Sequence, residues 1–275
     1  MTVLQARSWL PRTEGSARLE FVSRNGRTHL DVLHQKGAAR ARFPRPAGAR
    51  SPEAVLLNTA GGLTGGDRMH LEVRLGAGAE AMLTTAAAEK IYRARDGEAA
   101  IAIALRLGIG SNLLWLPQAT ILFDGARLDR HTEVELAGDA RFLGLEILIF
   151  GRQAMGEEVR HGLCRDAWRI RRDRALVFAD TLRLSGDIAA ALARPATLSG
   201  ARAAAMLIYV APDAGSRLAS VRSMLEGAES MAGASAWNGL LVVRAIAREG
   251  RTLEGDIKPL LRALGGRELP RVWQC

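Results

Sequence analysis

The residues best able to do chemistry gather in short polar clusters set beside apolar sequence. The first is Asn58-Thr59-Ala60-Gly61-Gly62-Leu63-Thr64-Gly65-Gly66-Asp67, which follows Ala54-Val55-Leu56-Leu57. The glycines Gly61, Gly62, Gly65 and Gly66 let the backbone bend where other residues would be strained, and they bare its amides beside one carboxylate, Asp67. The segment lacks the Gly-Lys-Ser/Thr ending of a phosphate loop, and a carboxylate would repel phosphate. A second cluster, Glu89-Lys90-Ile91-Tyr92-Arg93, follows Thr84-Thr85-Ala86-Ala87-Ala88. On an extended segment Lys90 and Tyr92 point the same way, an ammonium beside a phenol, with Glu89 and Arg93 on alternate faces. The third is Gly151-Arg152-Gln153-Ala154-Met155-Gly156-Glu157, at the end of a long apolar run. Strand ends carry sites more often than strand middles, yet Arg152 with Glu157 reads equally as a surface ion pair.

Metal binding needs several His, Cys or carboxylate ligands brought together. The closest His/Cys pair is His161 and Cys164, in His161-Gly162-Leu163-Cys164. On a strand that spacing sends the side chains to opposite faces, and Cys164 then reads as a small buried hydrophobe. Carboxylates beside glycine or apolar runs form a looser set: Asp67, Glu89, Asp124, Glu146, Glu157 and Glu158. Oxygen donors alone hold a borderline divalent metal weakly, which suits passage better than storage. The chain has no Gly-x-Ser-x-Gly elbow and no His-Glu-x-x-His pair.

These clusters sit in a chain of 275 residues, 48% hydrophobic, long enough for one large folded domain. The net charge of +9 favours encounter with anionic partners. That charge is spread along the chain and is almost all arginine, with lysine only at Lys36, Lys90 and Lys258. Aromatic content is 5%, and no basic motif is interleaved with aromatics, so nucleic acid is not an expected partner. No apolar run approaches the roughly 18 residues of a membrane span, and Met1 to Pro11 lacks a hydrophobic signal core. A cytoplasmic protein with no membrane partner is expected. Cys164 and Cys275 make no disulfide framework.

The elements that must position the clusters are mostly strands. Leu30–Leu33, Met69–Leu75, Ala99–Leu107, Leu113–Leu116, Ile121–Phe123, Thr132–Leu136, Phe142–Phe150 and Ala175–Leu184 are apolar or alternating runs broken by glycine, Asp-Gly or proline. Val73–Ala79, Leu105–Ser111 and Val134–Ala140 resemble one another at intervals of about 30 residues, the range of stacked repeats. The prediction is a mainly β fold of stacked sheets, β-helix-like, although three ordinary hairpins in a sandwich would give the same pattern. After Leu184 the texture is α plus β: helices over Ile188–Ala193, Ser216–Ala232 and Asp256–Leu264, the last opened by an aspartate cap, and strands over Met206–Val210 and Leu240–Ile246. A single domain over 1–275 is expected, with a β-rich body about 17–184 and a mixed part about 185–275.

In order and spacing the clusters resemble the UreD family, called UreH in some organisms, the urease accessory proteins. The resemblance is carried by Gly61-Gly62-Leu63-Thr64-Gly65-Gly66-Asp67, Thr84-Thr85, Lys90-Ile91-Tyr92-Arg93, Trp115-Leu116-Pro117-Gln118, Ile121-Leu122-Phe123-Asp124-Gly125-Ala126, Glu146, Gly151-Arg152 through Glu157, and Leu269-Pro270-Arg271-Val272-Trp273. It implies a cytoplasmic, non-enzymatic chaperone for nickel insertion into the urease apoprotein. Such a protein binds UreF and through it the GTPase UreG, and nickel passes along it with no tightly bound cofactor. Carried over by position, Asp67, Glu146, Glu157 and Cys164 are the candidates for transient metal contacts lining a passage. Lys90, Tyr92 and Arg152 fall at the passage or at a partner surface. The chain departs from the family pattern at Thr59-Ala60, where a proline pair is usual, and at Leu114 and Phe150, where a glutamate and a cysteine are frequent; the last two departures remove possible anionic and soft positions from a fixed metal site.

Rival readings are a β-helical carbohydrate enzyme using Asp67 and Glu146 as acid and base, and a basic nucleic-acid binder. The second requires a face where arginines cluster without interleaved carboxylates. Under the accessory-protein reading, Asp67→Ala is expected to lower urease activation without unfolding the chain. A loss of solubility would instead assign Asp67 to structure.

Overall fold

The computed structural model describes residues 12–44, 51–152 and 155–274. Of the segments discussed above, residues 1–11, Gln153, Ala154 and Cys275 lie outside the described residues.

The strands run in chain order as β1 (Glu14–Arg24), β2 (Arg27–Gly37), β3 (Ala39–Arg42), β4 (Glu53–Asn58), β5 (Arg68–Leu75), β6 (Glu80–Thr85), β7 (Glu89–Ile91), β8 (Ala99–Leu107), β9 (Asn112–Leu116), β10 (Thr120–Leu122), β11 (Arg127–Leu136), β12 (Arg141–Phe150), β13 (His161–Arg172) and β14 (Ala175–Asp187). Then follow α1 (Ile188–Ala193), β15 (Ala203–Val210), α2 (Ala214–Leu225), β16 (Met231–Trp237), β17 (Leu240–Ala247) and α3 (Gly250–Gly265). A seven-stranded sheet has the order β14-β13-β11-β8-β5-β1-β2, and a second, larger sheet has the order β16-β17-β15-β12-β9-β6-β4-β3, with β10 joining it through β12 and carrying β7.

Between β4 and β13 the chain passes repeatedly from one sheet to the other, so successive strands in each sheet lie parallel. Leu75, Leu107 and Leu136 are register partners on β5, β8 and β11. The three similar segments are therefore stacked rungs of a solenoid, not hairpins. True hairpins close the coil at its flanks. Asn25-Gly26, Asp173-Arg174 and Asn238-Gly239 all have positive φ, the geometry that matches the twist of two antiparallel strands.

Leu19, Phe21, Val73, Leu83, Leu105, Leu113, Phe142 and Trp168 fill the space between the sheets. The outer face of the larger sheet is covered by α3 through Leu253, Ile257, Leu260 and Leu261, which meet Leu145, Leu207 and Val243. Trp273, in the terminal turn Arg271–Trp273, is buried there too. Its indole N–H donates to Thr84 Oγ1 (3.2 Å) and the Leu116 carbonyl (3.1 Å), tying the end of the described chain to β6 and β9.

Two helix boundaries differ from expectation. The helix expected over Ser216–Ala232 ends at Leu225, because Met231–Trp237 is a strand whose alanines suit a helix equally well. The last helix starts at Gly250, so Asp256 lies inside it and is no cap. Its carboxylate instead accepts the Ser230 amide (2.9 Å) and fixes the turn before β16. Among the described residues no helix is long and apolar enough to cross a membrane.

Candidate functional site

Glycine geometry builds the first cluster. Gly61, Gly62 and Gly66 have φ of 76°, 152° and 88°, a region that disfavours side chains. Gly65 is required for space: a Cβ there would lie 2.1 Å from the Asp96 carbonyl oxygen. Asp67 is buried, and both its oxygens are taken by backbone amides, Oδ1 by Thr13 N and Oδ2 by Thr64 N, each at 2.8 Å. The carboxylate thus clips its own turn to the residue just before β1. That geometry makes the buried carboxylate a structural clip for its own turn.

The folded turns bring several predicted residues into one surface cluster. Tyr92 donates to the Gly61 carbonyl (3.2 Å) and meets the Phe123 ring edge-on at 4.9 Å. The Arg152 guanidinium lies 4.7 Å from the same ring and pairs with Glu157 at 2.8 Å. The hydrogen bond from Arg152 outweighs partial burial and holds the Glu157 carboxyl below its ordinary range. Next to it, Asp124 accepts the amides of Arg160 (2.8 Å) and His161 (3.1 Å) and pairs with Arg93 at 2.6 Å. Glu157 and Asp124 are therefore committed to partners at the surface.

The second assembly lies between the sheets. Arg130 on β11 is buried and forks onto Asp166 of β13, Nε to Oδ1 at 3.0 Å and Nη2 to Oδ2 at 2.8 Å, while Nη1 donates to Thr120 Oγ1 on β10 at 2.9 Å. Nη2 also lies 2.7 Å from Glu146 Oε1, which projects from β12 in the other sheet. That contact is a short ion pair between two buried side chains. Burial pushes the Glu146 carboxyl well up, opposed by Arg130. Burial likewise raises the Cys164 thiol, keeping it un-ionised. His161, at the start of the same strand, is exposed while Cys164 is buried, so the two share no ligand position.

Arg130, Glu146 and Thr120 face a cavity of about 270 Å³, whose wall also includes Asn58, Glu89, Lys90, Trp115 and Gln118. Trp115 Nε1 is a further buried donor without a partner. Glu89 is half-shielded, and burial raises its carboxyl against the Asn58 amide (3.1 Å) that stabilises the charge. Lys90 is exposed at the rim. Among the described residues no three His, Cys, Asp or Glu side chains converge on one metal position. The wall is largely apolar, with Leu56, Met69, Leu71, Ile101 and Ile103 between its scattered polar groups, which also include His70. Asp67, Glu146, Glu157 and Cys164 do not form one cluster. Glu146 alone of them lines the cavity.

A more open groove of about 910 Å³ lies where β5, β8 and β11 end, lined by Leu75, Leu107 and Leu136 and by the turn residues Gly76, Gly108 and Ala137. Its Arg74 and Arg106 are already paired with Glu72 at 2.7 Å each, and Arg106 also with Glu135 at 3.3 Å. Carboxylates interleave with the arginines there, so this groove is not the unbroken basic face that nucleic-acid binding requires. Asp67 and Glu146, the acid and base of the carbohydrate reading, are not assembled as a pair: Asp67 is held in a turn while Glu146 faces the interior beside Arg130.

Sequence reasoning missed Arg130 and Asp166. A signal was present: Arg130 shares the inward phase of Leu128, Thr132, Val134 and Leu136, and Asp166 that of Cys164, Trp168 and Ile170.

A family model described as UreD urease accessory protein matches residues 13–274. The chain is 49% identical over 275 residues to the urease accessory protein UreD of Methylobacterium sp. (strain 4-46), covering 97% of each chain. It is 48% identical over 262 residues to that of Xanthobacter autotrophicus (strain ATCC BAA-1158 / Py2), covering 95% of this chain and 90% of the relative. Against that of Rhizobium leguminosarum bv. viciae it is 47% identical over 274 residues, covering 99% of each.

Proposed function

We propose, because this chain belongs to the UreD family of urease accessory proteins, that it is a non-catalytic chaperone for nickel insertion into the urease apoprotein. In this reading it works in the cytoplasm in complex with UreF and the GTPase UreG, and nickel moves through or along it. The observation that carries the reading is the cavity between the sheets, with Glu89, Lys90, Arg130 and Glu146 on its wall. A divalent cation there meets separate carboxylates, a hydroxyl and His70 rather than a chelating set, so contacts are weak and exchange is fast. The surface cluster of Tyr92, Phe123 and Arg152 has the aromatic and arginine composition that recurs in protein interfaces and is the candidate partner surface.

The test is co-expression of the urease subunits with all accessory proteins, with and without this chain, followed by nickel analysis and activity of purified urease. Nickel-poor, inactive urease in the deletion is the expected result. Fully loaded, active urease without this chain would end the proposal.

A further inference from the structure

A strand at the edge of a sheet exposes unpaired N–H and C=O groups, and folds blunt such edges with charge, bulges or short length. β2 carries Arg27, Asp31 and Lys36 and meets a bulge at Glu20/Phe21 of β1. β14 carries Asp180, Arg183 and Asp187 and meets a bulge at Ile170/Arg171 of β13. β3 and β7 are four and three residues long, and both are charged. β16 has none of these devices: Met231-Ala232-Gly233-Ala234-Ser235-Ala236-Trp237 is uncharged, and its register with β17 is unbroken. The two-residue turn Asn238-Gly239 joins Trp237 to Leu240, which makes those two a hydrogen-bonded pair. Bonding alternates along an antiparallel ladder, so the N–H and C=O groups of Ala232, Ala234 and Ala236 point away from the sheet. Arg222, exposed near the end of α2, reaches over this edge. Its Nε and Nη2 donate to the central outward carbonyl, that of Ala234, at 3.2 and 3.0 Å.

The strand is also complementary to itself. Turned about a two-fold axis at Ala234, it sets Met231 opposite Trp237 of a second copy, Ala232 opposite Ala236 and Gly233 opposite Ser235. No charges meet, small residues occupy the centre, and Met231 (69% exposed) and Trp237 (41% exposed) make a thioether-aromatic pair at each end. On the same face Arg244, register partner of Gly233, is already committed to Asp180 at 2.8 Å. We propose that β16 is a pairing edge for a second copy of this chain, and that Arg222 is the latch that holds it closed. Two-fold pairing needs the Ala234 carbonyl of each copy as an acceptor for the other's amide, and Arg222 occupies that carbonyl in the single chain. Pairing therefore requires two latches to open. The proposal stands apart from nickel passage.

The experiment uses the full chain in sedimentation velocity over a concentration series. Arg222→Ala should lower the dimer dissociation constant at least about tenfold relative to the unaltered chain, because two charge-assisted hydrogen bonds no longer compete with pairing. Adding Ser235→Lys sets an ammonium on each edge near its two-fold mate and should return the chain to its unaltered behaviour. Both positions are exposed, so circular dichroism should show every variant folded. An Arg222→Ala chain that associates no more tightly overturns the proposal. So does tightening that survives Ser235→Lys, or a mass that grows past the dimer, which would mean open-ended association in place of a two-fold pair. If Arg222→Ala does not fold, Arg222→Met carries the same test, since it keeps the aliphatic stem and removes the donors.

Discussion

Replacing Asp67 with alanine removes the acceptor for two backbone amides at once. Thr13 N and Thr64 N each donate to the carboxylate at 2.8 Å. A hydrogen bond to a charged group contributes about 1.5–3 kcal/mol. Thr13 and Thr64 are only half-buried, so water recovers part of the loss. The net cost should be about 2–4 kcal/mol, a large share of the stability of an ordinary domain. Asp67→Asn sharpens the test. One amide oxygen replaces one carboxylate oxygen, but the new NH2 then faces a backbone N–H, so asparagine should still lose about 1–2 kcal/mol. Denaturant unfolding of the full chain, followed by far-ultraviolet circular dichroism, measures both. If Asp67→Ala stays within about 0.5 kcal/mol of the unaltered chain, as a surface change would, the clip is not what holds this turn. Lowered urease activation alongside unchanged stability would return Asp67 to the role of a contact.

Further expectations concern the turns, the terminal anchor and acid stability. Gly65→Ala should cost about 2–4 kcal/mol, since its methyl meets backbone that cannot yield, whereas Gly61→Ala, with open space and a positive φ, should cost only about 1–2 kcal/mol; thermal melts separate them. Trp273→Phe keeps the ring buried but leaves Leu116 O and Thr84 Oγ1 without their donor. That should cost about 1–2 kcal/mol, measured by the same unfolding. Burial raises the Asp124 carboxyl, but the amides of His161 and Arg160 and the Arg93 guanidinium outweigh it, so its folded value lies below the ordinary one. A depressed folded value gives stability that is complete above the unfolded pKa, about 4, and lost as pH falls through the folded pKa. The unfolding midpoint should therefore fall as pH drops from roughly 5 to 3, and Asp124→Asn should flatten that slope.

The strands were legible because their apolar residues alternate and glycine turns punctuate them, and the stacked rungs because Val73–Ala79, Leu105–Ser111 and Val134–Ala140 repeat the same turn chemistry. The C-terminal boundaries were not. Met231-Ala232-Gly233-Ala234-Ser235-Ala236-Trp237 is built of small residues without strong preference, and pairing with β17 decides its state. α3 starts without a side-chain cap, so no residue announces it, while Asp256 announces a start that does not occur. The surface cluster was half-legible: Tyr92, Arg152 and Glu157 stood out as polar residues at strand ends, but Phe123, which joins them, looks like ordinary core. Arg130 and Asp166 resemble solvent-facing charges until strand phase is followed, because a buried pair needs each partner from a distant segment, here 36 residues apart.

The near-absence of lysine has a practical side at the cavity. With lysine only at Lys36, Lys90 and Lys258, acylation of side-chain amines would report on three addresses. Lys36 lies on β2 and Lys258 on α3, where it pairs with Glu254 at 3.2 Å, so Lys90 alone belongs to the cavity rim. The arginine-rich composition thus leaves one natural reporter at the cavity rim, and the rate at which Lys90 is acylated would follow its occupancy in the unmutated protein.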